Sequence, residues 1–366
     1  MRILHVSHRF APCIGGVETH VMQLCEQLAG RGKETAVVCL NKCPNSGEKL
    51  PSTEKISGIK VRRLGFLDLG LYKIAPGVLR ELRGFDVVHV HGMGFFSDFL
   101  AITKFLHRKR IVLSTHGGIF HTGSAGLLKK IYFFGWSRVV LRAFDRVIAV
   151  SEPDFAVFSK ILPKKKLLLI ENPVDIGKLS RLGGKKDPGS ILFVGRLSKN
   201  KGLPKLLRAF AAARKKVPSA RLRIIGGEFD LGVKDIEKKA RELGVAGCVE
   251  AAGSVSGSEL LRSYAKSSVF ASASEYEGFG ISAIEAMAAG LIPVLNNIPA
   301  FRRFVRDGEN GFITDFSDSE KAGQAIAQAL SMGREKTAAV SGAARESAKK
   351  FGWNESTAKF LHAYRG

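Results

Sequence analysis

Two carboxylates in the stretch "EYEGFGISAIEAMAAG" (Glu275–Gly290) stand out by their settings. Glu277 precedes a Gly-Phe-Gly step, and Glu285, with seven residues between them, lies in a run of small and apolar residues. The run "ISAIEAMAA" reads as a helix, so the free N–H groups from Gly278 through Phe279 and Gly280 to Ile281 form an anion site at its start. The glycines let a phosphate approach the backbone closely. Ser282 and Glu285 are the only polar side chains of that helix and share one face at i and i+3. A buried carboxylate without donors is costly. Glu285 must therefore find them, either in the ribose hydroxyls of a nucleotide or in a neighbouring cation. Glu277 either caps the helix or reaches past the phosphates to the sugar they carry.

The loop "GRLSKNKG" (Gly195–Gly202) supplies opposite charge. Arg196 offers a planar fork for phosphate oxygens and Lys201 a point charge, either as a diphosphate pair or as solvated loop cations. "APCIGGVETH" (Ala11–His20) places Gly15 and Gly16 before another helix start, without GxGxxG spacing. Glu18 gives that start the wrong charge for a tight pyrophosphate site, so Gly16 reads as a backbone loop facing an opposite domain. His116 sits at the tip of "LSTHGG", where a strand ends, and is a candidate for substrate contact. His89 and His91 alternate on one strand, but two histidines without a third ligand do not make a zinc site. The chain has no HExxH and no DxD, so no metal and no cofactor is expected.

These loops need strands to hold them. In the first half, Ile3–Ser7, Thr35–Leu40, Lys60–Leu64, Asp86–His91, Arg110–Thr115, Arg146–Val150 and Leu167–Glu171 read as strands. Helical segments at Val17–Ala29, Ser97–Leu106 and Leu127–Phe144 separate several of them. This alternation is βαβ grammar and predicts a mainly parallel sheet covered on both faces. The pattern restarts at "ILFVGRL" (Ile191–Leu197), after a Gly-, Pro- and Lys-rich segment. The expected organisation is an α/β chain of two Rossmann-like domains: residues 1–172, a linker at 173–190, and residues 191–350. A C-terminal helix, about 351–366, packs back on the first domain. Ligands of such sheets bind outside the carboxyl ends of the strands, and two domains facing each other make a cleft between them.

Composition narrows the partners. A net charge of +24 over 366 residues implies an anionic one: nucleic acid, anionic lipid or a phosphorylated substrate. Cys13, Cys25, Cys39, Cys43 and Cys248 are an odd, scattered set without CxxC, which reads as reduced thiols in a cytoplasmic protein. "MRILHVSHRF" carries charge where a secretory signal needs an apolar stretch. No apolar run approaches the roughly 20 residues that span a bilayer. The segment Gly126–Arg146 interleaves aromatics, Trp136 among them, with Lys129, Lys130, Arg138 and Arg142. It suits either an anionic membrane surface or a core helix with snorkelling cations.

The ordered set GG, "THG", "ENPVD", "GRLSKNKG", "EYEGFGISAIEAMAAG" and "FGW" resembles the retaining, nucleotide-sugar-dependent glycosyltransferases of family 4, which have the GT-B fold. "NPVD" stands where the family often has Asn-Gly, and "RGKE" where Gly-His is common. The resemblance implies that Arg196 and Lys201 hold the donor diphosphate with the amides of Gly280 and Ile281. It further implies that Glu285 binds ribose, Glu277 contacts the donor sugar, and Gly16 and His116 approach that sugar and its phosphate. It implies sugar transfer without a divalent metal. The chain also resembles bacterial mannosyltransferases that extend polyprenyl-diphosphate-linked sugars for exopolysaccharide. That likeness implies mannose from GDP-mannose, a lipid-linked glycan acceptor, and peripheral attachment to the cytoplasmic face of the inner membrane. A GT-B nucleotide-sugar epimerase or sugar phosphorylase is the alternative within enzymes. A nucleic-acid-binding protein is the alternative outside them, although no known binding module is present.

Overall fold

A computed structural model describes residues 1–13, 15–43, 48–70, 72–116 and 132–365. The chain divides into two compact units, Met1–Asn172 with Asn354–Gly366, and Pro173–Trp353.

Unit one contains β1 (Arg2–Ser7), β2 (Glu34–Leu40), β3 (Thr53–Ile56), β4 (Ile59–Leu64), β5 (Leu67–Leu69), β6 (Tyr72–Ile74), β7 (Val87–His91), β8 (Arg110–Ser114), β9 (Arg146–Ala149) and β10 (Leu167–Leu169). Eight of them form one sheet in the order β10-β9-β8-β7-β1-β2-β4-β3, and β5 and β6 make a separate hairpin. All neighbours in the large sheet are parallel except β3 and β4. The strand order reverses between β1 and β7. Their carboxyl ends are thus the place where an open α/β sheet offers a crevice.

The central strands are buried on both faces, as the parallel sheet requires. Leu4 and Val6 of β1 and Val88 and Val90 of β7 enter one apolar core. The alternate residues, His5, His89 and His91, are equally buried on the other face. There the helix Gly16–Ala29 brings His20, and the last helix, Trp353–Arg365, brings Phe360 and Tyr364.

Unit two contains β11 (Asp187–Val194), β12 (Arg221–Ile225), β13 (Val249–Gly253), β14 (Ser267–Ser272), β15 (Ile292–Asn296) and β16 (Phe312–Thr314). They form one all-parallel sheet, β13-β12-β11-β14-β15-β16, whose order reverses between β11 and β14. Ile191 and Phe193 face one core and Leu192 the other. The helix Leu203–Lys216 buries Leu203, Leu206, Leu207 and Phe210, the spacing of one helical face.

Four local expectations are corrected. The segment 173–190 is not a plain linker: it holds the helix Ile176–Ser180 and the first residues of β11. The helix expected over Ser97–Leu106 starts at Phe95 and breaks at Thr103, whose hydroxyl turns back to the Phe99 carbonyl at 2.6 Å. Of the helix expected over Leu127–Phe144, residues 127–131 lie outside the described residues. The rest is a π-helical stretch, Tyr132–Ser137, followed by Arg138–Val140 and a 3₁₀ turn, Leu141–Ala143. Finally, Cys13 and Cys43 are joined by a disulfide, so the five cysteines are not all thiols. β1 and β2 are parallel neighbours, so the loops that follow them leave the same edge and bring together residues 30 apart in sequence. Cys25 and Cys39 remain buried thiols, each pushed up to about 12 by burial.

Candidate functional site

In unit two, the carboxyl ends of β11 and β14 flank the reversal point, and the two loops that leave them are bound to each other. After β11 the chain passes through Gly195 and Arg196 into a 3₁₀ turn, Lys199–Lys201, which ends at Gly202. Gly202 is required: its φ is +62°, and a Cβ there would lie 2.3 Å from the Ala273 carbonyl oxygen. The Glu275 amide donates to the Asn200 carbonyl at 2.9 Å. Asn296 reaches across from β15 and donates to the Ser274 carbonyl at 3.0 Å.

This scaffold sets Lys201 against Glu277. The Lys201 ammonium donates to Glu277 Oε1 at 2.6 Å, and the Ser274 hydroxyl donates to the same oxygen at 2.9 Å. Both charged side chains are largely covered, at 15% and 14% exposure. Glu277 therefore does not cap the following helix. Its N-cap is Gly280 (φ +93°), and no side chain caps the helix Ile281–Ala288. Arg196 is outside the pair. It is exposed, with its guanidinium 5.2 Å from the Phe229 ring centre. Phe279 turns its side chain into the core, where its ring meets Phe351, leaving only its backbone for a ligand. Gly278 and Ile281 remain accessible.

One donor to Glu285 lies within the protein, and it is not a cation. The Tyr264 hydroxyl donates to Glu285 Oε2 at 2.8 Å. Burial raises the Glu285 carboxyl above its usual range, against the opposing pull of that hydrogen bond. Burial, then the neighbouring carboxylate, raises the Tyr264 hydroxyl. A carboxyl raised by folding costs stability as pH climbs through the unfolded value, and the cost is full above the folded value. Glu285→Gln keeps an acceptor for Tyr264 and removes that cost. It is expected to melt no lower than the parent at pH 8, with the difference shrinking towards pH 4, while binding nucleoside diphosphate more weakly. Unchanged affinity by calorimetry would remove Glu285 from the ligand site.

In unit one, Gly16 opens its helix, and a Cβ there would meet nothing within 4 Å. Glu18 folds back so closely that a Cβ on Gly15 would lie 2.2 Å from its Oε2. A carboxylate thus lies beside that helix start. His116 follows β8 with φ +46°, a left-handed conformation uncommon for a non-glycine residue. It lines a cavity of ≈ 800 Å³ together with His91, Arg9, Lys42, Lys73 and Phe66.

Behind His116 lies a cluster absent from the sequence reading. His91 shares hydrogen bonds with His5 and with His116, both at 3.0 Å. His89 is held by Tyr364 at 2.7 Å and Ser114 at 2.8 Å. The trios His5, His89, His91 and His20, His91, His116 each gather nitrogens within 4.8 Å, close enough for a metal ion. The third histidine that the strand pattern lacked is supplied by His5. The nitrogens that join His91 to His5 and to His116 are nevertheless bonded to one another. Alternation on β1 and β7 could have paired His5 with His89, since the register sets them side by side. Nothing local marks Tyr264 or Asn296.

Lys129 and Lys130 lie outside the described residues. Arg138 and Arg142 are exposed, and Trp136 is 44% exposed. Its indole N–H and the Tyr132 hydroxyl both donate to buried Asp98, at 3.0 and 2.9 Å. Phe133 and Phe144 are core. No helix among the described residues is long and apolar enough to cross a membrane.

Two family models match consecutive parts of the chain: "Glycosyltransferase Family 4" over residues 14–178 and "Glycosyl transferases group 1" over residues 178–347. A GDP-mannose:cellobiosyl-diphosphopolyprenol alpha-mannosyltransferase of Xanthomonas oryzae pv. oryzae is 38% identical over 91% of this chain and 88% of its own. A protein of the same name from Komagataeibacter xylinus is 31% identical over 100% of this chain and 93% of its own. Among solved structures, Anabaena Alr3699/HepE in complex with UDP is 19% identical with a TM-score of 0.75, covering 99% of both chains, and shares the GT-B fold. With the reversal-point loops and the parallel sheets, these likenesses decide the matter: the chain belongs to the family 4 glycosyltransferases.

Proposed function

We propose that this glycosyltransferase moves mannose from GDP-mannose, with retention and without a metal ion, onto a lipid-diphosphate-linked glycan at the cytoplasmic face of the inner membrane, in exopolysaccharide synthesis. The names of its relatives support the donor and the acceptor class. The sugar of GDP-mannose is α-linked, so an alpha-mannosyltransferase of that donor retains configuration. One observation carries the assignment of residues: a covered Lys201–Glu277 pair beside an uncapped helix start at the strand-order reversal.

The chemistry follows from charge. As the bond from C1 to the diphosphate oxygen breaks, negative charge grows on that oxygen. Lys201, Arg196 and the amides of Gly280 and Ile281 are assigned to receive it, already oriented before the reaction. The acceptor hydroxyl bonds to C1 on the face the leaving group vacates and passes its proton to a phosphate oxygen. Glu277, still held by Ser274, accepts hydrogen bonds from donor sugar hydroxyls once Lys201 turns to phosphate. Glu285 takes the ribose with the lone pairs that Tyr264 leaves. Gly16 and His116 are assigned to the transferred sugar and its phosphate.

The expected result is an α-mannosylated product from GDP-mannose and a polyprenyl-diphosphate-linked glycan, formed equally well in EDTA. Transfer from a different nucleotide sugar alone, or activity lost in EDTA and restored by magnesium, would overturn the donor or the metal-free reading.

Membrane attachment has support beyond Trp136, Arg138 and Arg142. The helix Phe95–Ile102 packs on the Arg138–Ala143 turns, and Ile102, Phe105 and Leu106 stay exposed there with Phe134 and Val139. Each cation at an anionic surface contributes about 1 kcal/mol. Changing Lys129, Lys130, Arg138 and Arg142 to Gln, with Phe105→Ser, is expected to release the protein from anionic vesicles. Co-sedimentation equal to the parent would place the +24 elsewhere.

A further inference from the structure

We propose that His5 and His91 are positioning residues that fix the tautomer of His116, so that it presents an N–H at Nδ1 to its ligand. The three rings form a chain through the fold. His116 Nε2 meets His91 Nδ1 at 3.0 Å, and His91 Nε2 meets His5 Nδ1 at 3.0 Å. His5 and His91 are buried, and His116 lines the cavity.

Each ring must be neutral for the chain to hold. Burial lowers His5 to about 3 and His116 to about 4, and burial followed by the neighbouring histidines lowers His91 well below its ordinary value. A neutral imidazole has one N–H and one lone pair. Each link takes one proton, so His91 can donate in one direction only. Two concerted arrangements remain. If His116 donates from Nε2, His91 donates from Nε2 to His5, and the His5 proton sits on Nε2. That atom is buried with no hydrogen-bond partner among the described residues. If the chain runs the other way, His5 Nδ1 donates to His91 Nε2 and His91 Nδ1 donates to His116 Nε2. The atom left over is then a bare lone pair, and the His116 proton is on Nδ1. An orphaned buried N–H is the rarer defect. The unpartnered end at His5 thus selects the second arrangement, in which all three rings carry their proton on Nδ1.

His89 stands outside this coupling. Its partners are the hydroxyls of Tyr364 and Ser114, and a hydroxyl can donate or accept. His20 meets His116 ring to ring, edge-on, with centres 5.0 Å apart. The proposal deepens the assignment of His116 to the transferred sugar, because an Nδ1–H donates to a hydroxyl or phosphate oxygen where a bare Nδ1 would need a donor.

The direct test is long-range proton–nitrogen NMR on the ligand-free protein with ¹⁵N-labelled histidine at pH 7. Protonated Nδ1 and bare Nε2 are expected at His5, His91 and His116. Protonated Nε2 at His116 would overturn the proposal. In His5→Asp, an acceptor stands where the His5 Nδ1–H stood, so His91 donates from Nε2, and the His116 proton is expected to move to Nε2. Turnover is then expected to fall about tenfold, the scale of one hydrogen bond. His5→Asn, whose amide can donate as Nδ1–H does, is expected to restore both readouts, and failure to restore the tautomer would count against the chain. If His116→Ala leaves turnover intact, its sugar contact is wrong, while the tautomer result stands by itself.

Discussion

Lys201→Met is expected to lower kcat by about 10²- to 10³-fold, the range for removing one oriented group that meets charge developing in the transition state. The wild-type geometry makes this more than the loss of a surface cation. The ammonium is fixed at 2.6 Å from Glu277 Oε1 and only 15% exposed, so it is already desolvated and placed. Substitution has a second consequence: Glu277 keeps only the Ser274 hydroxyl on that oxygen. A broken, covered ion pair can destabilise the fold by itself, and the double variant Lys201→Met/Glu277→Gln separates the two effects. It removes the uncompensated carboxylate and is expected to recover the melting temperature of Lys201→Met but none of its turnover. A kcat within tenfold of the parent in Lys201→Met would show that the pair is a structural bridge. Arg196→Met is the smaller test, because Arg196 is exposed over Phe229 and is not held in the Lys201–Glu277 pair.

The parts of the fold that were readable from sequence are those in which local pattern and final environment agree. β1, β2, β7, β8 and β9 lie within a residue or two of the apolar runs that announce them, because central parallel strands are buried on both faces and leave no ambiguity of period, and β4 shows the alternation of a half-buried strand. β3, β5 and β6 were invisible. Their residues are mostly exposed, and short edge strands carry little hydrophobic signal. In the site, Lys201 and Glu277 each stood out by their loops, but their pairing depends on β11 and β14 being neighbours. No spacing in the chain encodes that adjacency, which follows from the crossover. A carboxylate in an apolar helix needs a donor, as Glu285 announces, but nothing along the sequence points to the one the fold supplies. Tyr264 lies 21 residues away, on another helix. The histidine cluster escaped for the same reason as the Cys13–Cys43 disulfide: each is assembled by strand order, from residues that look isolated along the sequence.

Gly226→Ala is expected to be as damaging as the loss of Lys201, although Gly226 touches no ligand in this reading. β11 and β12 are parallel neighbours, and their end loops run on side by side. The Gly195 amide donates to the Ile225 carbonyl at 2.9 Å and the Leu197 amide to the Gly227 carbonyl at 2.8 Å. A Cβ on Gly226 would lie 1.8 Å from the Gly195 carbonyl oxygen and 2.6 Å from its carbon. These are backbone atoms, so no rotamer change relieves the clash, and the chain must open by an ångström or more. The segment displaced is Gly195–Arg196, which leads into Lys201. A misplacement of about 1 Å at reacting groups costs on the order of 10²-fold in rate, and overpacking a close backbone contact costs about 1–3 kcal/mol in stability. Both losses are expected together in Gly226→Ala: turnover down about 10²-fold, and a melting temperature lower by several degrees. Gly227→Ala is the control. Its Cβ would meet only the Ser254 hydroxyl, at 3.2 Å, and that hydroxyl can rotate away. It should keep the melting temperature within a degree or two of the parent's and keep its activity. If Gly226→Ala melts and turns over like the parent, the two loops do not constrain each other, and Arg196 and Lys201 are positioned by something other than the carboxyl end of β12.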